Sequence, residues 1–152
     1  MSHLFKYDSP HNDFRRARAG AISIVPTTTG AAKAITKIFP DLVDKMDGCG
    51  IRVPVPDGSL TNITCIIKEN TSVAKINELF KKATNSGPLN GILCYIEEPI
   101  VSVDVSGKKH SCVFDLKLTF VIGKMVKVVG WYDNEVGYSN RLVELVAKIS
   151  NV

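Results

Sequence analysis

Between Ile92 and Trp131 the apolar residues come in short runs, which Pro99, Gly107 and Gly123 interrupt. Proline fixes φ and removes a backbone donor, and glycine weakens the interior of any regular element. The stretch therefore reads as successive short strands at Ile92 to Tyr95, Ile100 to Val105, Ser111 to Leu116, Leu118 to Ile122 and Met125 to Trp131. A chain punctuated in this way must build a sheet.

The remaining segments supply more strands and the helices to cover them. Ala21 to Pro26 alternates as a short strand, and Thr29 is the expected cap of a small-residue helix from about Gly30 to Phe39. Ile51, Val53 and Val55 alternate with Arg52, Pro54 and Pro56, an edge-strand pattern because both prolines fall on one side. Asp57-Gly58 then predicts a hairpin turn into a strand from about Thr61 to Lys68, with Ile63, Cys65 and Ile67 on one face. Thr71 is the expected cap of a helix running to about Thr84, whose Ile76, Leu79, Phe80 and Ala83 repeat at helical spacing. Ser139 is the expected cap of a last helix with Leu142, Leu145, Val146 and Ile149 as its apolar stripe. The pattern predicts an α+β fold: a mainly antiparallel mixed sheet covered by helices on one face. The other face is expected to meet a partner, since Cys65, Ile66 and Ile67 are apolar in succession.

Composition narrows the functional classes. With 152 residues the chain can bury roughly two thirds of its unfolded surface in one core, and 45% hydrophobic with 22% charged residues is an ordinary globular mix. No apolar run approaches the ~20 residues of a membrane helix, and Met1 to Pro10 lacks a leader pattern, so a cytoplasmic location and no membrane partner are expected. Cys49, Cys65, Cys94 and Cys112 show neither CxxC spacing nor histidine partners at ligand spacing, which disfavours both a metal site and a disulfide framework. Net charge is +4, with Arg15, Arg16 and Arg18 forming a local basic cluster able to hold a polyanion or line an interface. No linker or repeat marks a domain boundary after about Pro10.

Several strings are specific. Pro10-His11-Asn12-Asp13-Phe14-Arg15-Arg16, Ile24-Val25-Pro26-Thr27-Thr28-Thr29-Gly30-Ala31-Ala32-Lys33, Arg52-Val53-Pro54, Gly87-Pro88-Leu89-Asn90-Gly91-Ile92-Leu93, Glu98-Pro99-Ile100-Val101-Ser102 and Trp131-Tyr132-Asp133-Asn134-Glu135 with Gly137-Tyr138-Ser139-Asn140-Arg141 follow in one order. Together they resemble the phosphorylating glyceraldehyde-3-phosphate dehydrogenases, collinearly from about Pro10 to the C-terminus. The resemblance implies the α+β fold of that family's C-terminal catalytic domain over residues 10–152. It implies that Thr29, Gly30 and Arg52 bind phosphate, Arg52 bridging two phosphate subsites, and that Asn134 and Tyr138 face the cofactor. It also implies that the arginine-rich stretch reaches towards a neighbouring subunit.

The same resemblance implies absences. The family's nucleophile opens a helix in a Ser-Cys-Thr-Thr-Asn string, which none of the four cysteines has, and neither His11 nor His110 stands where the base histidine belongs. No strand–GxGxxG–helix unit is present, and Val136 replaces an aromatic beside Gly137. His3 to Ser9 resembles a string from the family's cofactor domain, so residues 1–9 read as a remnant or an appended segment. The expectations are a truncated relative, inactive alone, with no catalytic residues, no metal and no NAD bound by this chain itself. Expected partners are inorganic phosphate or another small anion, further copies of the chain, and a full-length relative. The alternative is a non-catalytic anion- or protein-binding module.

Overall fold

The computed structural model describes residues 10–150, so the expectation for His3 to Ser9 lies outside it. The described residues group into two compact units, one ending at Pro56 and one beginning at Asp57.

In the first unit, β1 (Val25–Thr28) and β2 (Cys49–Arg52) form an antiparallel ribbon in which Val25 faces Arg52 and Thr27 faces Gly50. Between them lie α1 (Ala31–Ile38) and a 3-10 turn, Pro40–Leu42. β2 stops at Arg52, and the Val55 N–H turns back across Pro54 to the Val53 carbonyl at 2.8 Å, a γ-turn contact. This corrects the expected hairpin of Arg52 to Val55 with the strand after Asp57-Gly58. Pro54 and Pro56 can donate nothing to such a ladder, and the later strand finds a longer partner.

That partner is in the second unit. β3 (Ser59–Ile66) pairs antiparallel with β7 (Met125–Tyr132) over eight residues, from Ser59 opposite Tyr132 to Ile66 opposite Met125. The sheet continues from β7 to β5 (Cys112–Asp115), antiparallel, and to β4 (Leu93–Ile96), which is parallel to β5. β6 (Phe120–Ile122) hairpins onto β7 through Gly123-Lys124, with Gly123 at φ +60°. The sheet is thus mixed and mainly antiparallel, and the fold is α+β. The expected strand from Ile100 to Val105 is instead a 3-10 turn at Ser102–Val105. Asp104 causes this by accepting the Val101 N–H at 2.8 Å while its own N–H reaches the Val101 carbonyl, which coils the chain.

Directly opposed residues share a sheet face, so the register assigns each face. Phe114, opposite Gly130, lies on the face covered by α2 (Val73–Asn85) and forms a core with Leu93 and Leu116, against which Ile76, Phe80, Ala83, Cys112 and Val128 pack. The Phe80 and Phe114 rings stack at 3.8 Å and 4°. Leu79, expected in the same stripe, is exposed. The cap of α2 is Ser72, whose Oγ accepts the Lys75 N–H, and not Thr71.

The opposite face is uneven. Val113 and Val129 on it are buried, whereas Leu60, Ile66, Phe120, Ile122 and Met125 are 46, 82, 49, 71 and 43% exposed. Phe120, Ile122 and Met125, with Thr64 and Lys127, line a shallow concavity on this face. The final helix, α3 (Val136–Ser150), begins before the expected cap Ser139, and its stripe Leu142, Leu145, Val146 and Ile149 is exposed.

The two faces should differ in energetic weight. Phe114→Ala should lower unfolding free energy by about 3–5 kcal/mol in urea titration, the usual cost of emptying a core aromatic site. Phe120→Ala, on the open face, should stay within about 1 kcal/mol of the parent.

Candidate functional site

Two groups of residues expected to bind ligands are each gathered locally, one in each unit. In the first unit, Thr29 is not itself the cap of α1. Gly30 takes that position without a side-chain bond, while Thr29 Oγ1 accepts the Ala31 N–H at 3.2 Å. The N–H groups of a helix's first turn have no intrahelical acceptors, and here no acidic side chain occupies that turn. The N-terminal end is left with exposed donors and a partial positive charge.

Arg52 enters the same surface through the ribbon register. Opposed pairs place Arg52 and Gly50 on the face that carries Val25 and Thr27. Gly50 contributes no side chain, and a Cβ built there would lie 3.2 Å from Thr27 Cγ2 and 4.0 Å from Thr29 Cβ. Thr29 therefore continues the Arg52 face past a gap left by glycine. Arg52 is exposed, and the Thr27 hydroxyl is buried with no partner among the described residues. The arginine cluster nearer the N-terminus lies in a turn organised by Asp13, which accepts from Arg15 N through its side chain and from Arg16 N through its carbonyl, each at 3.0 Å. Arg15 and Arg18 are exposed there.

In the second unit, Asn134 and Tyr138 stand where β7 runs into α3. Tyr138 is 69% exposed. Asn134 is partly buried and accepts at Oδ1 from Ser59 Oγ, at 3.4 Å. Its neighbour Asp133, 3% exposed, accepts from Glu135 N and Val136 N at 2.9 Å and from Gly107 N at 2.8 Å. Burial pushes the Asp133 carboxyl up, but the N–H groups of Val136, Gly107 and Glu135, with the Asp57 side chain, outweigh it and hold the group below its ordinary value. Asp133 and Ser59 were missed as site-building residues. Capping chemistry held the signal, because aspartate caps a helix as well as serine does and Asp133 stands ahead of Ser139 in the chain.

Among the described residues, no cysteine is hydrogen-bonded to a histidine. Burial, with a small contribution from Cys94, pushes the Cys112 thiol up to about 11, and burial also raises the Cys94 thiol against the opposing charge of Lys108. Thiols held protonated at neutral pH are poor nucleophiles. Burial, then Lys109, Arg141 and Lys108, lowers the His110 pKa, and His11 Nδ1 accepts the Asp13 N–H. Among the described residues, no three His, Cys, Asp or Glu side chains cluster as a metal site, and no helix is long and apolar enough to cross a membrane.

Asp133 gives this region a defined acid response. Its folded pKa is depressed, so its stabilisation is complete above the unfolded value and is lost as pH falls through the folded value. Asp133→Asn should lower Tm at neutral pH and flatten the fall in Tm below about pH 4. A curve parallel to the parent's in that range would contradict the assignment.

With this geometry in place, comparison with known proteins is direct. The sequence model of glyceraldehyde 3-phosphate dehydrogenase, C-terminal domain, matches residues 4–134. Glyceraldehyde-3-phosphate dehydrogenase 2 of Streptomyces arenae is 52% identical over 144 residues, which are 95% of this chain and 43% of that protein. The Mycobacterium avium glyceraldehyde-3-phosphate dehydrogenase is 56% identical over 142 residues, 93% of this chain and 42% of the relative. The Mycolicibacterium smegmatis protein is 54% identical over the same shares. This chain spans less than half the length of the curated relatives it matches. It belongs to the glyceraldehyde 3-phosphate dehydrogenase family and corresponds to that family's C-terminal domain.

Proposed function

We propose that this chain is the phosphate-holding and cofactor-facing part of a glyceraldehyde-3-phosphate dehydrogenase, and that these 152 residues alone do not oxidise the triose. The observation that carries this reading is the open start of α1 at Thr29-Gly30, with Arg52 on the same ribbon face. Helix N-termini attract anions through unpaired N–H groups, and an arginine adds a charge-assisted fork suited to phosphate. The family's reaction is NAD- and phosphate-dependent oxidation of glyceraldehyde 3-phosphate in glycolysis.

NAD would supply the hydride acceptor. Asn134 fits one end of such a cofactor, because its NH2 group has no partner among the described residues, and exposed Tyr138 follows in the first turn of α3. Burial pushes the Cys112 and Cys94 thiols up, which supports the reading that neither serves as a thiolate nucleophile.

The uncovered surfaces support association. The α3 stripe and the open sheet face both expose large apolar side chains, and contiguous apolar surface of this kind usually meets another chain. The partners proposed are further copies of the chain and a full-length relative, with the cytoplasm as the place of action. A second reading, a non-catalytic binding module, rests on the exposed Arg15 and Arg18 of the Asp13-organised turn.

A coupled assay with triose phosphate, NAD and phosphate should show no turnover by the chain alone. Turnover that disappears on replacing any one of the four cysteines would overturn that statement. Phosphate titration by NMR should shift Thr29, Gly30 and the first turn of α1 with millimolar affinity, about 4 kcal/mol. Arg52→Ala should remove most of that response while leaving the fold intact. If the shifts centre on Arg15 to Arg18 and ignore Arg52→Ala, the binding-module reading replaces this one. Light scattering at tens of micromolar should show oligomers, and a clean monomer would count against self-association.

A further inference from the structure

An asparagine carboxamide can present either its oxygen or its NH2 group to a ligand, and the end that already has a partner decides which. At Asn134 that partner comes from the turn opening β3. Gly58 in this turn has φ +83°, and a Cβ there would lie 2.6 Å from the Ser102 carbonyl oxygen. Only glycine adopts this conformation and this approach without strain. Asp57 fixes the turn further by accepting from Ser106 Oγ at 2.6 Å. Ser59, opposite Tyr132 at the end of the β3–β7 ladder, then donates its hydroxyl to Asn134 Oδ1 at 3.4 Å.

The backbone of Asn134 is held independently. Asp133 collects the N–H groups of Glu135 and Val136 on one carboxylate oxygen and that of Gly107 on the other. The carboxamide is thus anchored at its oxygen, its backbone is pinned through Asp133, and its two N–H donors have no partner among the described residues.

We propose that Ser59 is a positioning residue: it holds the Asn134 carboxamide with NH2 outward, so that this position donates to a carbonyl oxygen and does not accept from an amino group. The proposal builds on the reading of Asn134 as the residue facing the nicotinamide carboxamide. It adds that the carbonyl half of that group is what is recognised, so pyridine-3-carbonyl compounds with and without the amino group should be equivalent at this contact. Gly58 is the residue that lets the Ser59 turn come close enough.

The test uses the 15N-labelled 152-residue chain, with Ser59→Ala and Ser59→Thr variants. In the parent, the Asn134 side-chain protons should exchange rapidly with water and show no protection. Ser59→Ala should move both side-chain resonances towards those of a free amide, Ser59→Thr should restore them, and the β7 backbone signals should stay in place in both. Unchanged Asn134 signals in Ser59→Ala, or protected protons in the parent that lose protection in Ser59→Ala, would overturn the proposal, the latter by showing that the NH2 group donates to Ser59. Titration with nicotinamide and with 3-acetylpyridine should shift Asn134 equally in the parent and less in Ser59→Ala. Should neither ligand shift Asn134 in the parent while the amide signals still answer to Ser59, the cofactor-facing reading fails and the positioning role stands. A response to nicotinamide alone would overturn carbonyl selection.

Discussion

β7 has three strand partners, β3, β5 and β6, and so carries most of the backbone pairing of the second unit. A buried strand must have its N–H and C=O groups satisfied, and three ladders achieve this along almost its whole length. Two nearly buried aspartates fix how the chain enters and leaves that arrangement. Asp115, 2% exposed, ends β5 by accepting from Lys117 N, Leu118 N and Trp131 Nε1, the last at 3.0 Å. Asp133 does the equivalent just past β7, tying the start of α3 to Gly107. Each carboxylate has several donors, as a buried charge requires.

This arrangement explains why the glycines near β7 cannot be exchanged freely. A Cβ at Gly130 would lie 2.4 Å from Cys112 Sγ, and one at Gly137 would lie 3.1 Å from the His110 carbonyl. Missing side chains here let β5 and the 107–111 loop close on β7 and on the first turn of α3. Asn134 stands at that junction, so its orientation is inherited from the sheet and is not set by a loose loop. Rigid support of this kind is what the ligand contact proposed for Asn134 needs.

Much of this was legible in the residues and some was not, for physical reasons. The strands β4, β5 and β7 and the α2 stripe follow from short-range alternation and helical spacing, which survive folding because one side of each is buried. The partner of β3 did not follow. Asp57-Gly58 between alternating segments is a strong hairpin signal, yet the two prolines before it leave a neighbouring strand too few donors, and β7 offers eight residues of pairing. Ser102–Val105 misled because its apolar residues alternate, while the Asp104 carboxylate coils the segment through a local bond that periodicity does not register. The α3 stripe was visible, but a stripe shows only that something covers it, and here it is exposed. For the candidate site, Thr29, Gly30, Arg52, Asn134 and Tyr138 came from family-specific strings. Ser59 and Gly107 came only from the fold, because their partners lie 75 and 26 residues away.

The central claim is that the Asp133 junction belongs to the same cooperative structure as β7. Native-state hydrogen exchange on the intact chain tests it most directly, since amides of one cooperative unit open together. The Gly107, Glu135 and Val136 amides should exchange with an opening free energy close to that of the Val126 to Gly130 amides. Exchange of Gly107 and Val136 at the rate of a free loop, while β7 remains protected, would contradict the account.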